Sequence, residues 1–260
     1  MQGIGIIYED DNILVLDKPA GITVNRSDTT SGEQTLQDWV EERLNLQKGH
    51  QRFAPSSHAA SDSDTIDYEQ SNREAFYKRG GIAHRLDKET SGIILVAKTE
   101  DDFVELLRQF REREVEKQYT AMVHGEITPE VGEIDVPVGR LPWNRKRFGI
   151  VAGGRDAKTG YKVLRYYKGK NEVLTLLELY PKTGRTHQIR VHLKYMNRPI
   201  FADNLYGGRK TAREDRKRLN RQFLHASSIS FTHPKSHKPL SFKSGLSQDL
   251  NNVLSQIEAL

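Results

Sequence analysis

Apolar and polar positions follow one another along this chain in blocks whose period switches between two and about 3.6, and the switches mark out its elements. Ile4 to Tyr8 and Ile13 to Leu16 are apolar runs separated by the polar cluster Glu9-Asp10-Asp11-Asn12, the pattern of two strands joined by a turn. Lys18-Pro19-Ala20-Gly21 makes a second turn. Leu36, Trp39, Val40 and Leu44 then recur at helical spacing and predict a helix over about 35–44. From about Gln47 to Arg79 apolar residues thin out among Ser, Asp, His and Gln, which predicts a flexible surface insertion.

Regular patterning resumes at Gly80. Ile93-Ile94-Leu95-Val96-Ala97 reads as a buried strand, and Phe103, Leu106, Leu107 and Phe110 form a helical stripe. Tyr119 to Val123, the stretch 172–180, and the segments 229–231 and 240–242 read as further strands. Ile189, Leu193 and Met196 share a helical face, while the alternation Ile189-Val191-Leu193 leaves a strand open. Short connections and few long crossovers predict an α+β fold on a mainly antiparallel central sheet flanked by helices and loops. A single catalytic domain over 1–260, interrupted at 47–79, is the expected organisation.

Composition narrows the class. Hydrophobic residues make up 36% and charged residues 29% of 260, and no apolar run is long enough for a membrane helix, so a soluble chain with no membrane partner is expected. The start lacks a basic region followed by a long apolar stretch, so no secretory signal is expected either. Cys is absent, which excludes disulfides, thiolate catalysis and zinc knuckles, and a reducing cytoplasm is the simple reading. The net charge of +5 is compatible with a polyanionic partner. Its distribution says more: Arg145-Lys146-Arg147 is one basic knot, and 209–221 carries seven cations, among them Arg216, Lys217 and Arg218, against Glu214 and Asp215. A solvated helix, a loose loop and a phosphate-contacting surface all fit that segment.

Three constellations carry candidate chemistry. His84-Arg85-Leu86-Asp87-Lys88-Glu89-Thr90-Ser91-Gly92 packs cations, carboxylates and hydroxyls into a loop running straight into a buried strand, where reactive groups are well positioned. An Asp before a strand is also an ordinary turn residue, so Asp87 alone is ambiguous. Pro181 to His192 contains Gly184 for a tight turn, Thr186 as a cap for the following element, and Arg185 and Arg190 as forked cations suited to carboxylate or phosphate. Surface salt bridges are the plain alternative for both arginines. His187 and His192, five apart with no acidic or thiol neighbour, make a poor metal face, and no metal is expected. Tyr119, in Lys117-Gln118-Tyr119, is either a core residue with a wet hydroxyl or a flat ring on which a base stacks.

Taken in order, these pieces closely resemble the RluA-type pseudouridine synthases. The resemblance begins at Tyr8 to Gly21 and continues through His84–Gly92, Lys117–Tyr119 and Thr183–His192. It extends to Pro199-Ile200, Ala202 to Gly207, Phe223 to Ala226 and His233-Pro234, leaving out only the 47–79 stretch. The resemblance implies an isomerase that detaches uracil from its ribose and rejoins it through C5, without metal or organic cofactor. It assigns Asp87 as the reactive carboxylate, Arg190 as the active-site arginine holding that carboxylate ionised, and Tyr119 as the stacking ring. Arg85 is expected to fill the space left by a flipped uridine. Lys182, Arg185, Arg216, Lys217 and Arg218 are expected at phosphates. The implied partner is structured RNA, ribosomal or transfer, met in the cytoplasm by a monomer.

Two departures from the family stand out. The signature starts near residue 6, so no separate N-terminal RNA-binding domain is expected, and Ala202 precedes Asp203 where a glycine is more usual. Two readings compete with the synthase. One is a catalytically inactive RNA-binding module of the same fold. The other is a nuclease using His84 and His187 as acid and base, which leaves the Asp, Tyr and Arg set unexplained.

Overall fold

A computed structural model describes residues 3–27, 32–46 and 74–260. The chain forms two compact units. The first comprises Met1–Lys88, Ile94–Glu114 and Thr232–Leu240, and the second comprises Glu89–Ile93, Val115–Phe231 and Ser241–Leu260.

In the first unit, β1 (Gly5–Glu9) and β2 (Ile13–Lys18) pair antiparallel as the pattern predicts. Asp10 makes the turn between them. Its carboxylate accepts from the backbone N–H of Asn12 and Ile13, each at 2.8 Å, and from the Tyr8 hydroxyl at 2.8 Å. His233 Nε2 donates to it at 3.0 Å, since its Nδ1 already accepts from the amides of Lys235 and Ser236. Burial opposes the charge on Asp10, but these donors outweigh it and hold the carboxyl below its ordinary range. Ile13, Leu14, Val15 and Leu16 are all fully buried, so β2 packs on both faces.

Helix α1 (Leu36–Arg43) starts where the sequence says it should. Thr35 accepts from the Asp38 amide and Asp38 reaches back to Thr35, a reciprocal capping box. Strand β3 (Ser91–Ala97) is buried throughout and carries the chain from the second unit into the first. Thr99 then caps α2 (Glu100–Arg111), which buries Phe103 and Leu106. The expected flexible insertion is only partly within view. Its bulk, 47–73, lies outside the described residues, whereas 74–79 is helical and Phe76 is buried.

The second unit holds β4 (Glu116–His124), β5 (Val131–Asp135), the ribbon β6 (Val138–Leu141) and β7 (Asn144–Ile150), β8 (Lys158–Lys168) and β9 (Val173–Pro181). Helices α3 (Gln188–Tyr195) and α4 (Arg209–Asp215) follow, then β10 (Leu224–Thr232), β11 (Pro239–Lys243) and α5 (Gln248–Ser255). Its strands run in the order β10, β4, β9, β8, β5, all antiparallel. β6 and β7 form a separate two-stranded sheet. Ser91 and Gly92, at the start of β3, lie parallel beside His225 and Ala226 of β10. Gly92 is needed there, because its φ is +111° and a Cβ would stand 2.2 Å from the Ala226 carbonyl oxygen. The main core lies between this sheet and α3 and α5, with Ala121, Met122, Val123, Leu177, Leu179, Leu193 and Phe223 fully buried. The α+β expectation therefore holds, and α3 resolves the ambiguity at 189–193 as a helix. Among the described residues no helix is long and apolar enough to cross a membrane.

Candidate active site

Asp87 sits half-buried in the first unit, on the loop that follows the bridge between Ile82 and Val96. That loop is held from beneath. Lys18 is completely buried, and its ammonium donates to the carbonyls of Pro19 at 2.8 Å, Ile22 at 3.0 Å and Lys88 at 3.1 Å. The Gly21 amide donates to the same Lys88 oxygen at 2.9 Å. The turn 18–21 is thus the floor on which the residue after Asp87 rests, which is what a buried lysine in that sequence is for. Lys18→Met keeps the apolar stem but strips the buried donor from the carbonyls of Pro19, Ile22 and Lys88. It is expected to cost about 3 kcal/mol in urea unfolding, with a fall in activity exceeding the loss of folded protein.

Cations gather beside the same loop. Arg79 donates to the Ala83 carbonyl at 3.0 Å and lies over the Phe103 ring. Burial, and then the charge of Arg85, lower its pKa, so the two guanidinium groups share one neighbourhood. Arg85 is exposed. His84 accepts from the Leu95 amide at 3.1 Å through Nε2 and packs on Phe110. That nitrogen's lone pair is occupied, which removes the geometry a nuclease general base needs.

In the second unit the loop continues as Glu89, Thr90 and Ser91, and each is tied down. Arg221 donates to the Glu89 carbonyl at 3.1 Å and to Ser91 Oγ at 3.2 Å, while Asp249 holds its other edge at 2.6 and 3.0 Å. Gln222 donates to Thr90 Oγ1 at 3.2 Å. His225 Nε2 donates to the Ser244 carbonyl at 3.2 Å, leaving Nδ1 to accept from the Ser91 hydroxyl at 2.9 Å. The segment Phe223 to Ala226, noted in the sequence as a match without a role, supplies one of these anchors.

Tyr119 lies half-buried on β4 between Leu179 of β9 and Ala226 of β10, with its ring against the main core. Arg190, on α3, is 7% exposed and meets a fully buried carboxylate: its Nε donates to Asp203 Oδ2 at 2.7 Å and a terminal nitrogen to Oδ1 at 2.9 Å. This is the forked geometry that fixes a guanidinium plane. Asp203 also accepts from the amides of Leu205 and Tyr206 at 2.8 and 3.0 Å. The guanidinium lies over the Tyr206 ring at 5.1 Å. Tyr206 in turn accepts from the Phe148 amide at 3.1 Å and bonds His187 Nδ1 at 2.9 Å. The run Ala202 to Gly207 is therefore the clamp of Arg190.

Gln188 orders the turn before α3. Its carbonyl oxygen accepts from Thr183 at 2.7 Å and the Arg185 amide at 3.0 Å, and its amide donates to the Lys158 carbonyl and Thr159, each at 3.0 Å. Thr186 does not cap the helix as expected. The N-cap position is His187, in a left-handed conformation at φ 56° with no side-chain cap bond, and its ring is committed to Tyr206. His192 is fully buried between Thr159 and the Val136 carbonyl, and burial holds its pKa below the ordinary value.

Lys182 is exposed, and Arg185 is half-buried with Nε on the Asp156 carbonyl at 2.9 Å. The basic segment begins as α4. Arg216, Lys217 and Arg218 are exposed, with Lys217 beside Glu214 at 2.8 Å. Asp215 turns inward and is buried, so it neutralises less of that surface than its place in the sequence suggests. Sequence reasoning gave no role to Lys18, Arg79, Gln188, Asp203 or Tyr206. For Lys18 and Asp203 the signal was present, since both stand inside quoted motifs. Arg79 was hidden in the polar stretch.

A family model described as RNA pseudouridylate synthase matches residues 12–195. A ribosomal large subunit pseudouridine synthase D of Neisseria meningitidis is 38% identical over 98% of this chain and 61% of its own length. Its namesake from Nitrosomonas europaea is 35% identical over 98% and 65%. The chain thus spans less than two thirds of these curated relatives. Among solved structures, human RNA pseudouridylate synthase domain containing 1 superposes with a TM-score of 0.70 at 22% identity, covering 100% of this chain and 89% of that one, which shows a shared fold.

Proposed function

Since this chain belongs to the RNA pseudouridylate synthase family, we propose that it isomerises uridine to pseudouridine in structured RNA, with Asp87 as the reactive carboxylate. The observation that carries the reading is the matched span 12–195, which contains Asp87, Tyr119 and Arg190. The reaction needs a carboxylate at the sugar or the base while the glycosidic bond breaks, a flat surface for the freed uracil, and a forked cation that recognises an anionic group. Asp87, Tyr119 and Arg190 take those parts. Arg85 enters the space a flipped uridine vacates, and exposed Lys182, Arg216, Lys217 and Arg218, with Arg185, bind phosphates.

Ribosomal RNA is favoured over transfer RNA by the names of the two bacterial relatives, and a monomer acting in the cytoplasm is the form we expect. Large-subunit ribosomal RNA and transfer RNA from cells lacking the gene provide the test. After incubation with the protein, nucleoside chromatography should show new pseudouridine in the ribosomal sample. Modification of transfer RNA alone would overturn the substrate, and tight binding with no new pseudouridine in either would favour an inactive RNA-binding module.

A further inference from the structure

Asp203 owes its position to the residue before it. Ala202 is fully buried in a left-handed conformation at φ 60°, which is unfavourable for an alanine and persists only where its surroundings impose it. What imposes it is Asp215, whose Oδ2 accepts from the Ala202 amide at 3.0 Å. The same oxygen faces His124 Nε2 at 2.9 Å, and His124 Nδ1 faces Glu172 at 2.9 Å. A neutral imidazole carries one N–H and can donate to only one carboxylate, whereas the imidazolium donates to both. Phe201 stacks on the ring at 5.6 Å and closes its third side.

We propose that His124, as an imidazolium between Glu172 and Asp215, is a positioning residue: it fixes Asp215, which fixes the Ala202 turn, which presents Asp203 to Arg190. The inference rests on the role given above to Arg190. The chain of contacts is continuous: each link is a hydrogen bond of 2.7–3.0 Å or a peptide bond. Its consequence is a pH dependence of the reaction set by a histidine that touches no substrate. The charged groups facing the ring are Asp215 from α4 and Glu172 from the turn before β9. Nearby Lys170 is engaged with Glu214. Burial disfavours the charged ring, but the hydrogen bonds and charges of Asp215 and Glu172 outweigh it and raise the pKa above the ordinary histidine value. As pH rises through that raised value the ring loses one of its two protons, Asp215 and Glu172 compete for the one that remains, and the hold on Asp215 and its turn weakens.

Glu172→Gln is the informative variant, since Glu172 is about half exposed, lies on a turn and makes no contact with Ala202 or Asp203 in this chain of bonds. Without its charge the His124 pKa falls. The alkaline limb of kcat should therefore move to lower pH, with KM for RNA unchanged and the His124 ring titration, followed by NMR, moving with it. Asp215→Ala is expected to lower kcat by about 10²-fold at temperatures where it is folded, and Asp215→Asn, which keeps an acceptor for the Ala202 amide, should restore most of that loss. Coincident pH profiles for wild type and Glu172→Gln, despite a shifted ring titration, would overturn the proposal, as would Asp215→Ala lowering only the melting temperature. Exchange protection of the Ala202 amide reports on the turn without any turnover. Its loss in step with His124 deprotonation would sustain the structural link even in a protein that proved inactive, so failure of the functional reading is separable from failure of this one.

Discussion

Asp203→Ala is expected to destabilise the protein by about 3–5 kcal/mol, read as a shift in the urea unfolding midpoint at constant slope. The carboxylate is completely buried and the Arg190 guanidinium nearly so. Removing one partner of such a pair strips the other of its forked acceptor in a medium that solvates charge poorly. Two backbone amides, at Leu205 and Tyr206, lose their acceptor as well. The pair as a whole earns little stability against an apolar replacement, because desolvating both charges offsets most of their attraction. Its retention is better explained by geometry: two parallel bonds and the Tyr206 ring leave Arg190 one orientation. Asp203→Asn separates the two roles. It preserves shape and one acceptor, so it should cost less stability while still lowering kcat by at least about tenfold through the loosened guanidinium.

Asp87→Asn carries the largest expected effect on activity. The substitution keeps size and hydrogen-bonding capacity but removes the charge and nucleophilicity of the carboxylate. With the reactive group gone, kcat should fall by at least about 10³-fold, to the limit of detection. Stability should change by less than about 1 kcal/mol, because asparagine keeps the volume and hydrogen-bonding capacity of the side chain while Lys18, Gly21 and Arg221 anchor the loop through the backbone of its neighbours. RNA affinity should be retained within a fewfold, since phosphate contacts dominate it. A large loss of stability would identify Asp87 as the turn-forming residue its sequence context also allows.

The legible parts of the fold were those whose burial is one-sided or complete. The Leu36, Trp39, Val40 and Leu44 spacing and the Phe103–Phe110 stripe wrote helices in a period that solvent exposure enforces. The apolar runs of β2 and β3 wrote strands in the same way. The stretch 131–168 was not legible, although it holds four strands. Val131 and Leu164 are exposed there, and Arg140 and Arg147 interrupt the alternation of the β6–β7 ribbon. The ribbon packs through a small satellite cluster of Val138, Ala157, Val191 and Tyr206, and edge elements of that kind carry too few apolar positions to show a period.

At the site, residue types were readable and their partners were not. Asp87, Tyr119 and Arg190 stood out because a motif brought them together in order. Asp203 is thirteen residues from Arg190 and Lys18 is seventy from Lys88, and no local pattern says that either pair meets. In the sequence Ala202 stood only as a departure from a more usual glycine. Its left-handed backbone shows that glycine would suit the conformation and that Asp215 compensates for the alanine.

Release of tritium from RNA labelled at C5 of uridine is the most direct test of the central claim, because rejoining uracil through C5 displaces that hydrogen whatever the covalent step taken by Asp87. The wild-type protein should release label to water in step with pseudouridine formed and without strand cleavage, and Asp87→Ala should release none while still binding the RNA. Label retained by RNA that the wild-type protein binds, or release undiminished in Asp87→Ala, would contradict the account.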